Sequence, residues 1–93
     1  MSAVLQGRHA LVCGGSEGIG LAAAEALAAM GADVTVLARR PQRLAEVSTA
    51  LPRVHEAQRH RHVAADGSDT RGLAAAVAAL CAKHPVHVLV NNT

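Results

Sequence analysis

The feature that most restricts this chain is the segment Cys13-Gly14-Gly15-Ser16-Glu17-Gly18-Ile19-Gly20, a glycine cluster between two stretches of opposite character. Ahead of it, His9–Cys13 (HALVC) is a short apolar run of the kind that forms a buried strand. Behind it, Gly18 to Met30 is rich in strong helix formers and stops at Gly31, a residue suited to a helix C-cap. A strand that turns through glycines straight into a helix sets up an alternation, and the rest of the chain continues it.

Asp33–Ala38 (DVTVLA) is β-branched and apolar and reads as a second strand. Pro41 suits a first helical turn, with Leu44, Val47 and Leu51 at helical spacing up to Pro52. A loose polar stretch, Arg53–His60, leads to a third strand near Arg61–Ala65. Ser68 or Asp69 can cap the next helix, whose apolar face is Leu73, Val77, Leu80 and Cys81. Val86–Val90 (VHVLV) forms a fourth strand that runs into Asn91-Asn92-Thr93. The order β-α-β-α-β-α-β implies an α/β fold with a parallel sheet and right-handed crossovers. Residues 1–93 form part of one domain, and the near-continuous apolar strands imply burial on both sheet faces.

Composition narrows the chemistry. The 93 residues include no Phe, Tyr or Trp, although 51% are apolar. Aromatic stacking of single-stranded nucleic acid is therefore excluded within the chain, as is tyrosine acid catalysis. The net charge of +2 is too mild for a nucleic-acid binder. It is unevenly placed, however, with Arg39, Arg40, Arg43, Arg53, Arg59 and Arg61 close together in sequence against only Glu46 and Glu56. Such a patch suits a small phosphorylated ligand, or else a solvated arginine-rich surface.

Cys13 and Cys81 show no metal or redox spacing and fit a reduced, intracellular protein. No leader pattern is visible, and the longest apolar run, Leu73–Ala82, spans ten residues, half of a membrane crossing. A cytoplasmic protein without membrane contact is expected. His60, His62, His84 and His87 have no carboxylate or Cys at ligand spacing, so no metal site is expected.

The glycine loop carries the sharpest chemistry. Glycines at a strand-to-helix turn let backbone N–H groups approach a pyrophosphate, and the helix N-terminus behind them favours negative charge. The spacing is G-x-x-x-G-x-G over Gly14, Gly18 and Gly20, with no following Lys-Ser/Thr as in a P-loop. This loop resembles the T-G-x-x-x-G-I-G cofactor loop of the short-chain dehydrogenase/reductase family, with Cys13 in place of the Thr. Asp66, after the third strand, matches that family's acid at the adenine end of the cofactor. Asn91-Asn92 matches the start of its N-N-A-G motif, with Thr93 in place of Ala.

The resemblance implies a Rossmann-type doubly wound sheet, truncated after the fourth strand, with strand order 3-2-1-4. It also implies a dinucleotide cofactor held by Gly14, Ser16, Glu17, Gly18, Ile19, Gly20, Asp66 and Asn91. An acid closing the second strand would accept the ribose 2′-hydroxyl of NAD. This chain has Ala38 there, followed by Arg39 and Arg40, and a guanidinium can grip a 2′-phosphate bidentately. Glu17 opposes that reading, since a carboxylate near the phosphate is unfavourable. The balance favours NADP, with NAD as the other option.

In the family a Tyr and Lys in Y-x-x-x-K, with a Ser, carry hydride transfer between nicotinamide and a carbonyl or alcohol carbon. This chain has no Tyr, and its only Lys is Lys83, so it offers no catalytic residue to match. The resemblance therefore implies the cofactor-binding part of an oxidoreductase, inactive alone. The alternative is a non-catalytic dinucleotide-binding or partner-docking module. A methyltransferase-like nucleoside binder is disfavoured by Ala38. Because the fourth strand would be an edge, a second polypeptide or a homo-oligomer is a possible completion of the sheet.

Overall fold

The computed structural model describes residues 4–14, 18–66 and 69–91. Ser16, Glu17, Ser68, Asn92 and Thr93 lie outside them. Seven elements alternate along the chain: β1 (His9–Cys13), α1 (Gly18–Ala29), β2 (Asp33–Ala38), α2 (Pro41–Ala50), β3 (Arg61–Ala64), α3 (Thr70–Lys83) and β4 (Val88–Asn91). The strands form one sheet in the order β3-β2-β1-β4, every pairing parallel. Parallel neighbours need long crossovers, and the helices supply them. This is the Rossmann-type topology the motif order implies.

The central strands are buried on both faces, as their unbroken apolar sequences require. On one face Ala10, Val12, Val34 and Val36 meet Ala24 and Ala28 of α1, with Leu44 and Val47 of α2. Small residues do the work that aromatic rings do elsewhere. Gly20, Ala24 and Ala28 are all buried, so α1 lies close against the sheet without large side chains between. Burying Leu44 fully stabilises this face by roughly 1.5–3 kcal/mol. The opposite face is thinner: Leu11 and Leu37 pack with Leu80, flanked by Leu73 and Val77, all three from α3. Cys81 is exposed, outside the apolar face expected of it, because it falls on the flank of the Leu73–Val77–Leu80 stripe.

The outer strands alternate between half-buried and exposed positions, unlike the central pair. β4 begins at Val88, two residues later than its apolar pattern suggests, and extends to Asn91. Val88 and Val90 pack on the α1 side, whereas Leu89 on the other side is 63% exposed.

Two ends are fixed by local chemistry. α1 closes in a Schellman arrangement: Gly31 has φ +99°, its N–H donates to Ala28 O, and the Ala32 N–H donates to Leu27 O. α3 is opened by Asp69, whose Oδ1 accepts the Gly72 N–H at 3.1 Å.

Arg53–His60, read from sequence as loose, is firmly tied. Gln58 is fully buried, and its Nε2 donates to the carbonyls of Ala28 and Ala32, each at 2.7 Å. Its Oε1 accepts the Val54 N–H at 2.8 Å. One buried amide thus joins the loop to the α1–β2 turn and satisfies three backbone groups. Among the described residues no helix is long and apolar enough to cross a membrane.

Candidate dinucleotide groove

The carboxyl ends of parallel strands, beside the point where strand order reverses, are where open α/β sheets bind ligands. Here β1 lies between β2 and β4, so the reversal falls at the end of β1, where the chain turns through Gly14. Gly14 has φ +79°, a conformation that L side chains rarely adopt. Its N–H donates to the Leu37 carbonyl at 2.7 Å, which extends the β1–β2 ladder beyond the strand. The glycine therefore serves as the turn itself, its own N–H being engaged by the sheet.

A groove of about 330 Å³ opens at this place. Its floor is Leu11, Cys13, Leu37 and Ala38 of the central strands, and its walls include Gly14, Arg39, Ala65, Leu73, Val77, Leu89 and Asn91. Its volume is at the low end for small-molecule sites, and its lining is mostly apolar with few polar groups, as such sites are. Among the described residues that line it, Arg39 is the one that carries a charge. Burial pushes the Cys13 thiol up from its ordinary range, so it is a neutral lining group rather than a thiolate.

Of the residues singled out in the sequence, the fold brings Gly14, Arg39 and Asn91 to this groove. Gly18 and Ile19 open α1 immediately beyond the loop, Gly18 with φ +58° and Ile19 exposed. Gly20 is buried, so its place is helix–sheet packing. Asp66 is exposed in the turn that follows Ala65, and its carbonyl accepts the Asp69 N–H at 3.0 Å. Arg40 is exposed at the N-cap of α2 and does not line the groove.

The arginine patch of the sequence does not survive folding as one patch. Arg39 and Arg40 lie at the carboxyl end of β2, Arg43 pairs with Glu46 at 3.7 Å, and Arg61 opens β3. Arg53 and Arg59 both donate to the Glu56 carbonyl in the loop before β3, at the far end of the sheet. Helix α2 separates the two groups along the chain, so only Arg39 is available to the groove. The apolar walls contributed by Ala65, Leu73 and Val77 were missed in the sequence. They share one face of α3 and the end of β3, a signal visible only once the α3 stripe is laid over the sheet.

The family model for short chain dehydrogenase matches residues 8–93. The 3-dehydrosphinganine reductase TSC10A of Arabidopsis thaliana is 35% identical over 88 residues, covering 95% of this chain and 26% of that protein. The L-sorbose reductase of Gluconobacter frateurii, solved with NADPH and L-sorbose, superposes with a TM-score of 0.84 at 34% identity, covering 100% of this chain and 35% of that one. A metagenomic short-chain oxidoreductase in complex with NADP gives a TM-score of 0.85 at 35% identity, covering 97% and 40% of the two chains. The chain thus spans about a quarter of that curated relative's length. With a parallel β3-β2-β1-β4 sheet, a positive-φ glycine turn at its switch point and this match along nearly its whole length, the chain belongs to the short-chain dehydrogenase family.

Proposed function

We propose that these residues form the NADP-binding part of an oxidoreductase that moves hydride between nicotinamide and a carbonyl or alcohol substrate. The observation that carries the choice of cofactor is Arg39. It lines the groove directly after Ala38, the last residue of β2, where a carboxylate would receive the 2′-hydroxyl of NAD. Among the described lining residues the only charge is this guanidinium, which suits a 2′-phosphate, while Glu17 of the loop lies outside the described residues. The structural relatives solved with NADPH or NADP support the same reading.

The residues present fit such a cofactor. Gly14 makes the turn on which the pyrophosphate would rest, and Gly18 and Ile19 open the helix that follows it. The apolar wall of Leu37, Ala65, Leu73 and Val77 offers a flat surface to an aromatic ring, and Asn91 ends the strand on the other side of β1. When bound, the dinucleotide supplies or accepts the hydride. This chain's part is to orient it, since a sequence without Tyr lacks the family's acid/base residue. The catalytic group belongs to further sequence or to a second polypeptide, and the chain by itself does not turn over substrate.

The test is a titration of this chain with NADPH and NADH by fluorescence or calorimetry. Tighter NADPH binding is expected, and equal or better NADH binding overturns the role given to Arg39. The second reading, a non-catalytic dinucleotide-binding module, rests on the same missing Tyr. Reading the coding sequence beyond Thr93 separates the two, since a downstream Y-x-x-x-K in frame favours the enzyme.

A further inference from the structure

At the amino end of the sheet, opposite the groove, both outer strands begin late. β3 first pairs at Thr35–Arg61 and β4 at Ala10–Val88, so Val34 on its β3 side and His9 on its β4 side face no strand residue, although both are paired across β1–β2. One step earlier on each outer strand stands a histidine, His60 before Arg61 and His87 before Val88. Each ring supplies the missing acceptor. The Val34 N–H donates to His60 Nδ1 at 3.1 Å, and the His9 N–H donates to His87 Nδ1 at 3.0 Å.

A ring nitrogen accepts a hydrogen bond only while it carries no proton. His60 is held to that tautomer from its other side too, because its Nε2–H donates to the Pro52 carbonyl at 2.7 Å. A second proton on either ring would set two N–H groups against each other. We propose that His60 and His87 are acid-released clasps: protonation unfastens the first rungs of the β2–β3 and β1–β4 pairings and loosens the amino end of the sheet.

The surroundings act on the two rings differently. Around His60 stand Arg53 and Arg59, which line the same recess, with Arg61 next in the chain and Asp33, whose Oδ1 accepts the Arg59 N–H. His87 is bound to His9, whose ring lies 6.1 Å from that of His84. His9 is buried, donates from Nδ1 to the carbonyls of His84 and Pro85, and bonds through Nε2 to the Thr35 hydroxyl at 2.7 Å. His84 is held below the ordinary imidazole range, first by lost hydration and then by repulsion from Arg61, His9 and Lys83, with Asp33 opposing. At this end of the sheet the neutral form of the rings is the one the fold uses. For His84, whose value is lowered, the linked stability is present above the ordinary imidazole range and lost as pH falls, because the unfolded chain binds the proton first.

The test is NMR on this chain. Long-range ¹H–¹⁵N spectra give each ring's tautomer and titration, and hydrogen exchange gives the amide protection of Val34, His9 and Gly14. The expected result is the Nε2–H tautomer at both rings near neutral pH. Protection of Val34 and His9 should then fall about tenfold in step with the protonation of each ring as its own ¹⁵N signals report it, with Gly14 little changed. His87→Asn keeps an acceptor that does not titrate and should abolish the acid response at His9 alone. An Nδ1–H tautomer at either ring overturns the proposal, as do protection factors that do not change with pH. An equal loss at Gly14 also overturns it, since that would be global acid unfolding.

Discussion

Gly14 donates its N–H to the Leu37 carbonyl at 2.7 Å, so the first glycine of the loop closes the sheet and opens the groove at once. At φ +79° an L side chain costs roughly 1–2 kcal/mol, and a β-branched one more. Gly14→Val should lower the melting temperature by about 5–15 °C and abolish NADPH binding. Gly18→Ala is the contrast, since an added Cβ there meets no atom within 4 Å. Its melt should show a backbone cost of about 1 kcal/mol and no steric one. Calorimetric melts and an NADPH titration check both, and a Gly14→Val chain with unchanged melting would contradict the turn geometry.

Arg39 and Arg40 are adjacent in sequence, but only Arg39 lines the groove. A charge-assisted contact to a 2′-phosphate contributes about 1.5–3 kcal/mol. Arg39→Ser should therefore weaken NADPH binding by about 10- to 100-fold and leave NADH nearly unchanged. Arg40→Ser should change either cofactor by less than about threefold. A larger effect at Arg40 than at Arg39, measured in parallel titrations, would show that the wrong guanidinium has been placed at the phosphate.

Gln58 has no contact with the groove, yet it is the most demanding polar residue of the fold. Replacing it with Leu keeps much of its volume but removes the partner of the Ala32 carbonyl and the Val54 N–H, and leaves the Ala28 carbonyl with the Gly31 N–H alone. Gln58→Leu should cost about 2–4 kcal/mol in denaturant unfolding, a large share of the stability of a domain this small. Glutamate is no substitute, because its carboxylate would face two carbonyl oxygens. A shift below about 0.5 kcal/mol would mean the amide bonds are replaced by water in solution.

These residues also show what the sequence made legible. The central strands and α1 follow from apolar runs and helix formers, because local patterning and the deep core agree there, whereas the strand order came from the family resemblance. Gly14, Arg39 and Asn91 could be placed because each stands at a strand end, and strand ends converge in a parallel sheet. Gln58, His60 and His87 could not be read, since polar residues in a loop look alike until the carbonyls and N–H groups they face are known. The arginines misled for a related reason. Closeness along the chain is not closeness in space when a helix such as α2 carries the chain from one end of the sheet to the other.

The two thiols offer a direct probe of the groove. Cys13 lines it and is held neutral by burial, whereas Cys81 is exposed on α3, and neither is in a disulfide. Because the thiolate is the reactive form, iodoacetamide at about pH 8 should alkylate Cys81 first, with Cys13 slower by about an order of magnitude. Saturating NADPH should slow Cys13 further and leave Cys81 unaffected, which ties the groove to the cofactor independently of any affinity measurement. Peptide mass spectrometry over a time course reads both rates. Should Cys13 label first, its thiol would have to be ionised and open to solvent; should NADPH protect neither residue, the dinucleotide would have to bind elsewhere.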